Sequence, residues 1–491
     1  MTYNLQPVNP KTVDGSILFL YGDEVSERTL PLSRKEIDLV RERRAAQRDC
    51  MLCFDRLPYR LYLLSFDSEK PAAECQEQLR RAVTRLLPQL EADHVDTLTI
   101  SGEGVLPEEI IAVVEGLTLA DYSFDRYRNK EVWHLQSLVI DDRYLKPDEL
   151  ESAQRLWNRI YWCREWVNLP VQDLNAPAFA DELASIAADL ADVKCTVMDK
   201  KQIESLRMGG LLAVNRGSVD EPRFVVLEYK PRSAAGKQPI CLVGKGIMYD
   251  TGGLNIKPDD YMQEMKSDMA GAATMASVLF AAADNRLPVH LVALLPMTDN
   301  RPGFNAYAAD DILTMYDGTT VEVVNTDAEG RLILADAIAY AARNYNPALI
   351  VDSATLTGAA VRAISTFGIA VMQQNAANPL TLMKLVGEQV YERLVEFPMW
   401  SEYDELIKSD MADLRNCGTT PQAGTITAGK FLAHFAGKVP YIHLDIAGVA
   451  YFTKPQHYYR VGASGYGIRM LYAFLQMQDV VNKQVSGKVV K

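Results

Sequence analysis

Short apolar runs bounded by glycine, proline or acidic residues recur along the chain, with stretches of helical spacing between them. In the first 150 residues, Ser16–Tyr21, Arg60–Phe66 and Asp96–Ile100 read as strands. Ser33 to Arg44 begins a helix whose basic cluster forms a solvated face. One long helical pattern follows from Pro147 to about Trp166. The prolines of Asn168-Leu169-Pro170 and Asn175-Ala176-Pro177 then interrupt the chain. Beyond them, apolar runs at 239–244, 290–296, 321–325, 348–352, 368–372 and 441–446 alternate with helical segments. That alternation predicts an α/β fold with a mostly parallel sheet flanked by helices. A chain of 491 residues exceeds what one core supports, so more than one domain is expected. We place a smaller N-terminal α/β domain without visible chemistry at 1–150, a linking helix at 151–170 and a C-terminal domain at 171–491.

Within this pattern the octet Asn325-Thr326-Asp327-Ala328-Glu329-Gly330-Arg331-Leu332 follows the β-branched run Val321-Glu322-Val323-Val324 and precedes the helical run Ile333–Tyr340. Open α/β sheets bind ligands where a strand feeds a helix. Alone, the octet would also suit a turn and a helix cap. Upstream, Val243-Gly244-Lys245-Gly246-Ile247-Met248-Tyr249-Asp250-Thr251-Gly252-Gly253 continues to Lys257-Pro258, and its glycines predict a loop bearing Lys245, Asp250 and Lys257. It is not a P-loop, because no Gly-Lys-Ser/Thr closes the spacer. Glu264-Met265-Lys266-Ser267-Asp268 then opens a small-residue helix through about Ala283, where Asp268 alone could be only a cap or a dipole partner.

Asp250, Asp268, Asp327 and Glu329 are thus four candidate carboxylates. Crowded together they would take up protons unless cations neutralised them. Two divalent ions about 3.5–4 Å apart are a recurrent hydrolytic solution. Lys245 beside such ions could lose its proton and coordinate through nitrogen, while Lys257 and Arg331 could stay cationic and hold substrate oxygen or an anion. No histidine or cysteine lies in these segments, so the oxygen-rich donors favour Zn, Mn or Mg.

At these residues the chain resembles the M17 leucyl aminopeptidase family of dinuclear metallo-exopeptidases. The resemblance rests on Gly244-Lys245-Gly246-Ile247 with Asp250-Thr251-Gly252-Gly253 and Lys257-Pro258, on Met265-Lys266-Ser267-Asp268-Met269, and on the octet. Further matches are Asp352-Ser353-Ala354-Thr355-Leu356-Thr357-Gly358-Ala359, Ala423-Gly424-Thr425-Ile426-Thr427-Ala428 and His443-Leu444-Asp445-Ile446-Ala447-Gly448, within residues 155 to 475. The resemblance implies that Asp250 and Glu329 share two metals, that Lys245 and Asp268 complete the tighter site, and that Asp327 completes the more exchangeable one. It implies that Lys257 polarises the scissile carbonyl and that Arg331 anchors a bicarbonate which takes the proton of the attacking water. The nucleophile would be a metal-bridging hydroxide, formed near pH ~7. The second metal would bind the substrate's free α-amine. A pocket of Met265, Thr355, Leu356, Gly358, Ala447 and Ala450 would take leucine-like or other apolar N-terminal residues of peptides. Ala450 stands where some relatives carry methionine, a departure that would enlarge the pocket and broaden the preference. The family assembles as a homo-hexamer, and some members are also DNA-binding architectural proteins, which is the alternative role.

Composition narrows these choices. A net charge of −13 argues against nucleic-acid and anionic-membrane partners. No apolar run approaches the ~20 residues of a membrane span. The first residues lack a basic stretch followed by an apolar one, so a cytoplasmic location is expected. Seven scattered cysteines suit a reducing compartment, and the close pair Cys50–Cys53 has no second pair to make a zinc site. The six histidines show no ligand spacing, and His443 in its apolar run is expected to be a satisfied core residue.

Overall fold

Runs such as Ile17–Leu20 are apolar at every position because both faces of their strand are covered. In the computed structural model, Ser16–Tyr21 lies inside a six-stranded sheet. The structure describes residues 1–13, 15–22, 29–47, 51–56 and 59–485, with backbone alone for 478–485; Cys50 lies outside the described residues. The six strands run in the order Thr2–Gln6, Ser137–Asp141, Thr97–Glu103, Ser16–Tyr21, Arg60–Ser65 and Met51–Asp55. All pair in parallel except Met51–Asp55. The helix Arg34–Ala46 starts on a capping box, Ser33 with Glu36, and turns Ile37 and Val40 into the core with Phe19 and Leu63. This unit comprises Met1–Trp157, Gln389–Tyr391 and Lys454–Val461.

The second unit holds the remaining residues from Asn158 onward, so the helix Pro147–Asn168 contributes to both. Its nine-stranded sheet is parallel at the centre: Tyr441–Asp445, Leu349–Ala354, Ile240–Gly244 and Leu291–Asn300 lie side by side. Beyond Leu291–Asn300 come the antiparallel Arg223–Tyr229 and Val193–Met198, and beyond Tyr441–Asp445 the antiparallel Ile369–Gln374 and then Leu394–Glu396. Helices Gly330–Tyr345 and Gly424–Ala436 close over Cys241, Val243, Ile350 and Tyr441 in one apolar cluster. The helix Ala270–Asp284, rich in alanine, packs closely on Ile240–Gly244 and Leu349–Ala354.

Three details differ from the sequence reading. The run at 321–325 forms only the strand Thr320–Glu322, which belongs to a separate three-stranded sheet with Ile312–Thr314 and Leu414–Arg415. It stops there because Asn416 Oδ1 takes the Val324 amide (2.7 Å) in place of a neighbouring strand. The expected glycine loop begins as a strand, Gly246–Asp250, paired with Leu291–Asn300, so Lys245 sits between two strands and Asp250 ends one. Its glycines serve close packing: a Cβ at Gly246 would fall 2.6 Å from the Pro296 carbonyl oxygen. Finally, the helix expected from Glu264 is a 3₁₀ turn, Met265–Ser267, and the α-helix begins at Ala270, leaving Asp268 at the break.

Candidate metal centre and active site

Strand ends and the turns that follow them bring six of the seven predicted polar residues, all but Arg331, into two contiguous groups. Lys245 Nζ lies 2.8 Å from Asp268 Oδ1 and 3.0 Å from Glu329 Oε1, and donates to the Thr355 carbonyl oxygen at 2.9 Å. Lys257 Nζ lies 2.7 Å from Asp250 Oδ2 and 2.5 Å from Asp327 Oδ1. Oxygens of Asp250, Asp327 and Glu329 all fall within 4.8 Å of one another. Lys245, Asp250, Asp268 and Glu329 are buried, while Asp327 is partly open.

The turn after Asp250 depends on glycine. Gly252 has φ +85°, and a Cβ there would meet Asn255 O at 2.4 Å and Asp327 Oδ1 at 2.9 Å. Asn255 and Thr326 then lace this turn to the octet. Thr326 N donates to Asn255 Oδ1 (2.8 Å), Asn255 N to Thr326 Oγ1 (2.8 Å), and Thr326 Oγ1 to the Gly252 carbonyl (2.6 Å).

Four carboxylates face two amines, and the excess negative charge shows in their proton affinities. Burial and the Asp250 charge push the Glu329 carboxyl up to about 8. Burial raises Asp268 to about 6 against the pull of Lys245. Burial and Asp250 likewise raise Asp327. For both lysines burial opposes the charge, but the surrounding carboxylates outweigh it and hold the amines protonated. Lys245 therefore coordinates through nitrogen only if arriving cations displace its proton. Arg331 is buried, donates from Nη1 to the Asn416 carbonyl oxygen at 3.0 Å, and keeps a buried Nε–H without a partner among the described residues.

The six expected pocket positions fall on three segments. Met265 lies in the 3₁₀ turn before Asp268. Thr355, Leu356 and Gly358 follow the strand Leu349–Ala354, and Thr355 Oγ1 donates to Asp268 Oδ1 at 2.7 Å, which puts this segment directly beside the carboxylates. Ala447 and Ala450 follow Tyr441–Asp445. His443 is a core residue, its Nδ1 2.7 Å from Asp352 Oδ1, though its buried Nε2 has no partner among the described residues.

Two residues absent from the sequence reading shape the site. Asn300, at the end of Leu291–Asn300, donates from Nδ2 to Asp250 Oδ1 at 2.8 Å and to the Thr326 carbonyl at 3.0 Å, and Glu329 Oε2 lies 3.5 Å away. Asn416 holds the octet from below: its Oδ1 accepts from Val324 and its Nδ2 donates to the Asn325 carbonyl at 2.7 Å. Both are single polar residues far from the motifs in sequence, and no local spacing signals them.

Residues 161–472 match the family model for the catalytic domain of the cytosol aminopeptidase family. The chain belongs to that family. Cytosol aminopeptidases are metal-dependent hydrolases of peptides, and this protein is a metal-dependent aminopeptidase by membership. Sequences named "Probable cytosol aminopeptidase" from Geobacter sulfurreducens and Chlorobaculum tepidum are 42% and 43% identical over 76% and 75% of this chain, and over 76% of each relative. A solved structure titled "Bottromycin maturation enzyme BotP in complex with Mn" aligns with a TM-score of 0.82 and 29% identity, covering 94% of this chain and 99% of that one. The side chains fit the metal that this family requires. Asp268 Oδ2 is buried with no hydrogen-bond partner among the described residues, and the three other carboxylates converge around one point. Among the described residues no helix is long and apolar enough to cross a membrane.

Proposed function

We propose that this cytosol aminopeptidase removes leucine-like and other apolar N-terminal residues from peptides, using two divalent ions of Zn, Mn or Mg. The observation that carries the reading is the convergence of Asp250, Asp268, Asp327 and Glu329 with Lys245 and Lys257. Asp250 and Glu329 would hold both ions, Lys245 and Asp268 one of them, and Asp327 the other. When bound, such ions supply an acidified water as nucleophile and polarise the scissile carbonyl.

The chain's own groups do the rest. Lys257, kept cationic by its carboxylate neighbours, holds the carbonyl oxygen as negative charge grows on it. The unpaired Nε–H of Arg331 and its buried charge suit a bicarbonate placed to take the water's proton. Thr355, Leu356, Gly358, Ala447, Ala450 and Met265 line the side-chain pocket, and the small Ala447 and Ala450 leave it wide enough for more than leucine. Exposed Leu254, Ile256 and Phe304 on loops of the catalytic unit, with Tyr261 on the short helix Asp259–Met262, support assembly into a homo-hexamer. The names of the relatives support a cytoplasmic location.

Release of leucine from a leucyl anilide tests the reading, run on protein as isolated, after chelation, and after return of Mn²⁺ or Zn²⁺. Activity should vanish with the metal and return with it. Turnover that survives complete metal removal would overturn it.

A further inference from the structure

Asp445 ends the strand Tyr441–Asp445 and is 1% exposed. A buried carboxylate is costly unless donors surround it, and among the described residues no cation lies within ion-pair distance of this one, although the buried Arg331 feels its charge. Its hydrogen-bond partners are all neutral. Oδ1 accepts from the backbone amides of Leu356 (3.2 Å), Thr357 (3.4 Å) and Ala447 (3.2 Å). Oδ2 accepts from Thr357 Oγ1 at 2.6 Å and from Thr425 Oγ1 at 3.4 Å, and those two hydroxyls also contact each other. The donors have one thing in common: they sit on three chain segments that meet here. One is the turn Thr355–Gly358, another the turn that carries Ala447 and Ala450, and the third the start of the helix Gly424–Ala436. Thr357 also caps the helix Gly358–Ile364 by accepting from the Ala360 amide at 3.1 Å, so the knot fixes where that helix begins.

We infer that Asp445 is a specificity-determining positioning residue, which sets the width of the N-terminal side-chain pocket by tying Leu356 and Ala447 to one carboxylate. The inference rests on the pocket assigned above. It follows from the geometry because Leu356 and Ala447, assigned to that pocket from two different segments, both donate their amides to Asp445 Oδ1, and no other described side chain accepts from both. Asp445 touches neither the lysines nor the carboxylates of the metal centre, so its loss should act on side-chain selection and leave the metals in place.

The test compares leucyl, methionyl and alanyl anilides on metal-loaded wild type, Asp445→Ala, Asp445→Asn and Thr357→Val. In Asp445→Ala the leucine-to-alanine ratio of kcat/KM should fall about tenfold, mostly through KM, which is the range that pocket fit commands. Thr357→Val removes one donor and should move the ratio the same way by about threefold. Asp445→Asn should keep most of the wild-type ratio. Its oxygen still accepts from the three amides, and its NH₂ can donate to Thr357, whose own proton then turns to Thr425. Bound metal per chain should match wild type throughout. An unchanged ratio in Thr357→Val and Asp445→Ala, or a uniform loss on all three substrates, would overturn the inference while leaving the aminopeptidase reading intact. Should Asp445→Ala fail to fold, Thr357→Val decides. A wild type inactive on every anilide in every metal overturns the parent reading and this one with it.

Discussion

By helix propensity alone, replacing Gly330 with alanine is mild, since alanine is the better helix former and Gly330 opens the helix Gly330–Tyr345. The surroundings reverse that expectation. A Cβ at 330 would fall 2.4 Å from Lys245 Cε, 2.7 Å from Nζ and 2.8 Å from Cδ, where ordinary contact begins near 3.4 Å. Lys245 would have to retreat by about 1 Å. Its amine has no slack, being bound at 2.8, 3.0 and 2.9 Å to Asp268, Glu329 and the Thr355 carbonyl, and a retreat of that size takes it out of hydrogen-bond reach. Lys245 is only 2% exposed, so water cannot replace these partners. Breaking a buried pair in this way costs about 3–5 kcal/mol, and the helix preference returns at most about 1 kcal/mol. The metal-stripped Gly330→Ala protein should therefore be about 2–4 kcal/mol less stable than wild type. Urea unfolding followed by tryptophan fluorescence reads this directly, and metal analysis after reloading should find the Lys245 site depleted. A variant as stable as wild type that binds both ions would refute the claim that Lys245 is held rigidly against the octet.

Lys257→Ala should lower kcat by about 100- to 1000-fold while bound metal stays unchanged, because an oxyanion donor is lost and no ligand is. Asp327→Ala and Glu329→Ala should abolish turnover and weaken metal retention in equilibrium dialysis; near-normal activity of Glu329→Ala would show the ligand assignment to be wrong. Asp336, fully buried and accepting from the Leu211 and Tyr316 amides, is pushed up by burial to about 7 from an ordinary 3.8. The folded state thus holds its proton more tightly than the unfolded one. That stabilisation is full below an ordinary carboxyl's range and is lost as pH rises through about 7. Wild type should accordingly lose more stability than Asp336→Asn across that window, measured on metal-loaded protein so that the site carboxylates do not titrate. Parallel pH curves for the two proteins would contradict it.

Legibility in the sequence followed the range over which each signal acts. The strands Ser16–Tyr21, Ile240–Gly244 and Leu349–Ala354 were readable because burial on both faces demands continuous apolar runs. The octet and the Lys245–Lys257 segment were readable because charged residues interleaved with glycine serve no core. The antiparallel strands Arg223–Tyr229 and Val193–Met198 escaped notice, as did the separate sheet containing Thr320–Glu322, since strand partners are chosen through space. Asn300 and Asn416 were silent, each being one polar residue at or just past a strand end whose value lies in which distant amides and carboxylates reach it, and Asp445 was visible only as part of the His443–Gly448 match, with nothing to signal its role.

The position of Lys245 between two strands also bears on how the protein is made. Every proposed ligand, from Lys245 to Glu329, leaves the ribosome before the strand Leu349–Ala354 that flanks Ile240–Gly244 and before Thr355, whose carbonyl holds the Lys245 amine. Tyr441–Asp445, the next strand outward, emerges about a hundred residues later still. A nascent chain therefore carries its full set of acidic ligands for a long interval without the wall that closes over them. Metal captured during that interval would meet a shallow, solvated cluster with little power to choose among ions, so any discrimination among them would rest on walls added after synthesis has passed the second half of the sheet.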